Sequence, residues 1–240
     1  MRIVGKNVSV RSGGEVFFDS IGFSFTTGEL SIVATDDRQK AVAFSMLVSG
    51  RLRNHDGTIS LNSSDGQKRQ SLIALYEIRK VTAVPYVPKI GEPDEFLKLW
   101  RVLKEEFLFA DKNVSKKDIL DFIAQETDGQ FPNPAGLRVK DLPNAMRLKV
   151  FTKLAAMRPD VKFIFVTLPE KYGGLPNVWF NEVKKLQTKD NTIVLITSKV
   201  VVEVLNQDYY DLDDGMRLCK RKAGGKSHAN CSQISVQRGR

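Results

Sequence analysis

Two short, wholly apolar runs, Phe163-Ile164-Phe165-Val166 and Ile193-Val194-Leu195-Ile196, constrain this chain more than any other feature. A strand with one wet face alternates apolar and polar residues. A strand that is apolar throughout must be covered on both faces, as in the parallel sheet of an α/β fold. Residues 162–167 and 192–197 therefore read as buried strands. Between them, residues 176–187 carry Val178, Trp179, Val183 and Leu186 on one side at helical spacing. A strand, a crossover helix and a second strand give parallel neighbours.

The same alternation opens the chain. Phe23-Ser24-Phe25 and Leu30-Ser31-Ile32-Val33-Ala34 read as strands separated by a Gly28-Glu29 turn. Residues 41–49 read as a helix with Phe44, Leu47 and Val48 on one face and Gly50 as its stop. Residues 57–62 and 72–77 read as short strands around a Ser63-Ser64-Asp65-Gly66 turn. From about Gly91 the pattern turns helical. Asp94 is placed as the cap of a helix carrying Phe96, Leu99, Trp100, Leu103 and Phe107. Ser115-Lys116-Lys117-Asp118 has the spacing of a capping box, and Pro143 opens a further helix with Met146, Val150, Phe151 and Leu154 inward. A helical segment between two strand-rich halves implies an insertion within one folded unit.

Composition excludes several classes. At 240 residues with two cysteines, Cys219 and Cys231, the chain is no disulfide scaffold and has no four-cysteine zinc site. Its apolar runs fall far short of the roughly 20 residues needed to span a bilayer, and Met1 to Gly5 has no secretory apolar core, so a soluble intracellular protein is expected. The net charge is +9, but all seven basic residues after Asp214 lie in a stretch with no acid. Subtracting those seven from 37 basic residues leaves 30 against 28 acidic ones, so the body is nearly neutral. Residues 219–240 read as a basic, flexible, Gly- and Ser-rich tail: a solubilising end, or a contact for anionic lipid or RNA.

A strand leading through residues 35–43 into a helix is where a phosphate-binding loop would sit. Around that point the chain resembles the nucleotide-binding domain of the ATP-binding cassette (ABC) family, over most of residues 3–218. The likeness rests on Gly28-Glu29, Ser49-Gly50, Leu52 to Ile59, Tyr86-Val87-Pro88-Lys89, and Asp208-Tyr209-Tyr210 with Leu212 and Gly215-Met216-Arg217-Leu218, in family order. It implies an α/β, P-loop NTPase-like fold: a mostly parallel core sheet and N-terminal antiparallel β-subdomain over 1–90 and 158–218, and an inserted helical subdomain over 91–157.

The family's functional residues are replaced. In the family register the phosphate loop becomes Thr35, Asp36, Asp37, Arg38, Gln39 and Lys40, with Ala41 at the phosphate lysine and Val42 at the magnesium-binding hydroxyl. Lys89 replaces the loop glutamine, and Leu142-Pro143-Asn144-Ala145-Met146 replaces the signature. Thr167 and Leu168 fall on the metal-binding aspartate and the catalytic glutamate. Ser198 falls on the switch histidine, Pro176 on the aspartate of the following loop and Arg11 on the adenine-stacking aromatic. Non-glycine residues resist the positive φ of an anion nest, at roughly 1 kcal/mol or more each. Each nearby carboxylate repels a triphosphate by roughly 1–4 kcal/mol. Lys40 is rotated by about 100° from the family position, and Leu168 cannot take a proton from water.

The resemblance therefore implies a pseudo-ATPase with no catalytic residues, cofactor or metal, acting as a scaffold or regulator of a membrane complex at the inner face of the cell membrane. Its expected partner is an integral membrane protein received in a groove around Lys89, Ile90, Gly91, Glu92, Phe96 and Trp100. A second cassette subunit is a further expected partner, and nucleic acid is disfavoured by the neutral body. Two alternatives stand beside it: an ATP-binding transporter subunit with one imperfect site, and a soluble nucleic-acid-associated relative. Among isolated residues, His55 reads as solvated and without a partner, Asp213 and Asp214 as a hairpin turn, and Glu170 as a loop surface charge.

Overall fold

The computed structural model describes residues 1–62, 68–69, 72–85, 87, 90, 92–220 and 230–232. Among them, β1 (Arg2–Ser12), β2 (Glu15–Thr26), β4 (Asp56–Asn62) and β5 (Lys68–Arg69) form an antiparallel sheet in the order β2-β1-β4-β5. The second sheet contains β3 (Ser31–Ala34), β6 (Thr82–Ala83), β7 (Phe163–Thr167), β8 (Thr192–Thr197), β9 (Tyr209–Asp211), β10 (Arg217–Lys220) and β11 (Asn230–Ser232), ordered β11-β10-β9-β3-β8-β7-β6. Its centre, from β6 to β9, is parallel; β10 and β11 extend it antiparallel, so Cys219, Lys220 and Asn230–Ser232 of the expected flexible tail are strand, because their backbones pair with each other and with β9.

The apolar runs are buried for the reason their composition suggests. Phe163 and Phe165 of β7, with Val194 and Ile196 of β8, face a core shared with the antiparallel sheet and helix α1 (Arg38–Val48). Ile164, Val166, Ile193 and Leu195 point the other way. They pack on α5 (Asn144–Ala156), α6 (Pro176–Lys184) and α7 (Lys199–Leu205). Alternation thus sends successive side chains into two cores. Phe44 of α1 joins the sheets: its ring meets Phe18, Phe23 and Phe25 at 5.9, 5.6 and 6.3 Å between centroids, and Phe25 meets Phe165 at 6.0 Å. A third core holds α3 (Leu99–Phe109), α4 (Lys116–Glu126) and α5 together through Leu99, Leu103, Phe107, Ile119, Ile123 and Phe151.

Local signals act as read at several helix ends. Gly50 follows α1 with φ of +72°, and a Cβ there would lie 2.6 Å from the Leu75 carbonyl oxygen, so only glycine fits. Ser115 and Asp118 form the reciprocal capping box of α4.

Other expectations are corrected. Residues 72–77 are not a strand but the start of helix α2 (Leu72–Val81). Ala74 and Ile78 are buried and Val81 partly so, a spacing of four and three, and the short apolar run could not distinguish the two periods. The Ser63–Gly66 turn lies outside the described residues. Asp94 does not cap α3: its carboxylate accepts from the Phe96 amide in a turn, and Lys98 occupies the cap position without a side-chain bond. Phe96 is 59% exposed. Val178 is exposed while Trp179, Phe180 and Val183 form the buried side of α6.

Candidate functional site

The C-terminal ends of β3, β7 and β8 converge on the N-terminus of α1, the position at which open parallel sheets place ligands. There the chain caps itself. Asp37 is the N-cap of α1, and its carboxylate accepts from the amides of Gln39 at 2.8 Å and Lys40 at 3.1 Å. These are the donors that a helix N-terminus would otherwise offer to a phosphate. The neighbouring amides are also taken. Thr35 N–H donates to the Thr197 carbonyl, Asp36 N–H to Asp213, Asp37 N–H to the Thr35 hydroxyl and Ala41 N–H to the Asp37 carbonyl.

Asp213 holds the other side of this arrangement. It lies in the turn between β9 and β10 but reaches across to the β3–α1 segment. Its carboxylate accepts from the Thr35 hydroxyl at 2.8 Å and the Asp36 amide at 3.3 Å, and pairs with Lys199 at 3.1 Å and Lys40 at 3.5 Å. Burial opposes its ionisation, but the Thr35 hydroxyl, Lys199 and the Asp36 amide outweigh burial and keep the acid below its ordinary value. Lys199 also pairs with Asp211 at 3.1 Å. Its ammonium is held above the ordinary lysine value, because those two carboxylates outweigh the cost of desolvation. Asp36 then bonds the Lys199 amide at 3.1 Å, tying the segment to α7.

Glu170 corrects its sequence reading. It is no loop surface charge: its carboxylate accepts from the Thr197 hydroxyl and the Ser198 amide, both at 2.8 Å, and it is half-buried. It stands on a short 3₁₀ turn, Pro169–Tyr172, that starts after Leu168. That leucine has φ of +49° and ψ of +53°, left-handed backbone that a branched side chain occupies only under constraint. Its amide bonds the Ile196 carbonyl at 2.7 Å. Thr167 is buried and donates to the hydroxyl of Ser45 at 2.8 Å.

Asp213 likewise does more than form a hairpin turn. Only its place in three dimensions, 178 residues from Thr35, reveals that role. His55 is exposed, but its Nδ1 accepts from the Arg11 amide at 3.3 Å, so it has a partner.

A cleft of about 990 Å³ opens beside this network. Thr35, Asp36, Arg38, Gln39, Leu168, Glu170 and Ser198 line one part; Val10, Phe17, Val42, Ala43, Met46, Leu52 and Ile90 line another. Phe17 is an aromatic wall that the sequence reading did not single out. Arg11 is absent from the lining. Among the described residues, no cluster of His, Cys, Asp and Glu has a metal-holding arrangement.

The groove residues divide. Lys89 and Gly91 lie outside the described residues. Glu92 and Phe96 share a separate concavity of about 560 Å³ with Asn144, Arg147, Lys171 and Tyr172. There Glu92 bonds Lys171 at 2.7 Å and the Tyr172 hydroxyl at 3.1 Å. Ile90, 61% exposed, lines the larger cleft instead. Trp100 packs against the helical core, with the Lys116 ammonium 4.6 Å from its ring. Among the described residues no helix is long and apolar enough to cross a membrane.

No family model and no curated protein matches the sequence. Solved structures do match. A nucleotide-free ATP-binding cassette from an ABC transporter superposes with a TM-score of 0.62 at 15% identity, covering 92% of each chain. A cassette described as dimeric, in a post-hydrolysis state bound to ADP and Pi, superposes with a TM-score of 0.61 at 16% identity, over 92% of this chain and 99% of that one. A putative ATP-binding protein of an ABC transporter from Pyrococcus furiosus gives 0.59 at 8% identity, over 83% of this chain and 92% of that one. Such low identity speaks to architecture alone: this chain has the α/β fold of ABC ATPase cassettes, with its mixed sheet, antiparallel sheet and helices.

Proposed function

We propose that this protein is a cassette-fold pseudo-ATPase that serves as a non-hydrolytic scaffold or regulatory subunit of a membrane complex. One observation carries the reading. The amides at the start of α1 are occupied by the chain's own Asp37 carboxylate, beside a second internal carboxylate, Asp213. A triphosphate would have to displace these anions and meet Asp36 as well. The Thr167 hydroxyl donates to Ser45 and the Leu168 side chain carries no proton acceptor, which supports the loss of a metal ligand and of a base at these two positions.

In this reading residues 1–218 act as one cassette-type domain, with 91–157 as a helical lobe. An integral membrane protein docks at the concavity holding Glu92 and Phe96. That partner brings the protein to the inner face of the membrane; a second cassette subunit or anionic lipid at the basic tail adds further contacts. Calorimetric titration with ATP, with and without Mg²⁺, tests the nucleotide part: the expected Kd is weaker than about 100 μM, or about 5.5 kcal/mol. Affinity purification from detergent-solubilised membranes tests the partner. Lys89→Glu or Phe96→Asp should abolish capture of a membrane protein while leaving the thermal midpoint in place.

A second reading, an ATP-binding subunit with one imperfect site, draws on the fold likeness and on the open cleft at the usual ligand position. Binding tighter than about 100 μM in the same titration would favour it.

A further inference from the structure

The cleft beside the capped end of α1 has changed chemistry rather than closed. At about 990 Å³ it lies at the upper end of small-molecule sites, roughly 300–1,000 Å³. Its apolar floor comes from Phe17 of β2, Val42, Ala43 and Met46 of α1, and Leu52 after it. Phe17, Val42, Ala43 and Leu52 are only partly buried, each resting on the main core with surface left toward the cleft. A side chain such as Val42 or Ala43 offers a phosphate nothing, but it offers contact area to an apolar body.

The rim is polar, with Ser12, Thr35, Gln39 and Ser198 beside five charged side chains, four of which (Asp36, Arg51, Glu170 and Lys171) the chain itself engages. Asp36 and Glu170 oppose anions, while Arg38, Arg51 and Lys171 oppose cations, and the Arg51 guanidinium is held by the Ser49 carbonyl and the Thr82 hydroxyl. The amides of Gln39 and Lys40 are no longer available to an anion, because Asp37 holds them. The Glu170 carboxylate is engaged by Thr197 and Ser198, and Lys171 by Glu92.

We infer that this cleft is a binding site for a neutral, largely apolar small molecule, held on the Phe17–Val42–Ala43 floor. The assignment rests on the reading that nucleotide has been displaced from this place, and it adds a ligand class that reading does not contain. A scaffold of this kind would report the presence of such a molecule to α7 and the β9–β10 turn, which share the Asp36–Asp213 network with the cleft wall.

The test uses the full chain and N-phenyl-naphthylamine, a neutral probe that brightens in apolar surroundings. Saturable binding with one site per chain is expected. Ala43→Trp, which fills the floor, should weaken it at least tenfold, and Val42→Asp should do the same by placing a charge there. Phe109→Asp removes an exposed aromatic at the far end of α3, 68% exposed, and should leave binding unchanged. Circular dichroism of each variant establishes that it is folded. Absence of saturable binding, or binding that Ala43→Trp leaves intact in a folded protein, overturns the ligand assignment. Displacement of the probe by ATP instead overturns the nucleotide-free reading on which it rests.

Discussion

Replacing Asp213 by asparagine probes the network that closes the start of α1. The amide keeps the size and one carbonyl acceptor but removes the charge shared by Lys199 at 3.1 Å and Lys40 at 3.5 Å. Its NH₂ also faces the Asp36 amide or the Thr35 hydroxyl, and at least one of those bonds is lost. A net hydrogen bond is worth about 1 kcal/mol. Each of the two ion pairs is discounted to about 0.5 kcal/mol, because the side chains are 27–31% exposed and screened by solvent. The expected loss is about 2 kcal/mol, or roughly 4–8 °C in thermal midpoint for a chain of this size.

The pH dependence has a definite sign. Asp213 titrates lower in the folded protein than in the unfolded chain. Its contribution is therefore present above the unfolded value of 3.8 and disappears as pH falls through the lower folded value. Urea unfolding followed by tryptophan fluorescence, at about pH 7 and stepwise to about pH 3, measures both. The gap between wild type and Asp213→Asn should be widest near neutrality and narrow steadily below about pH 4. A gap under about 0.5 kcal/mol at pH 7, or one that does not change on acidification, would refute the reasoning.

Glu170→Gln should cost about 1–2 kcal/mol and speed hydrogen exchange at Ser198, since the charged acceptor of that amide is lost. Unchanged exchange at Ser198 would mean the bond does not hold α7. Phe44→Ala removes the ring that joins three β2 phenylalanines and should cost about 3–5 kcal/mol in denaturant unfolding. Ser115→Ala breaks the capping box of α4 and should cost about 1 kcal/mol, read as a small drop in thermal midpoint; no drop would show that the helical core alone sets that helix.

Sequence alone determined the parts governed by local chemistry. The runs at 163–166 and 193–196, bounded by polar residues and rich in β-branched and aromatic side chains, read as strands buried on both faces. Gly50 reads as the end of a helix, and Ser115 with Asp118 as the start of one. Each signal is written within a few residues, by period, backbone freedom or capping geometry. The frame of short motifs carried the resemblance to the cassette fold in the same way. Residues 72–77 read as a strand because the five-residue apolar run Leu72 to Tyr76 satisfies strand and helix alike, and only the packing of Ala74 and Ile78 decided between them. The site was decided by tertiary structure for a different reason. Asp213 and Glu170 are ordinary acidic residues in their own neighbourhoods. They become an anion plug and a clamp on α7 only because parallel strands far apart in the chain end side by side, bringing Thr35, Thr197 and the β9–β10 turn within hydrogen-bonding distance.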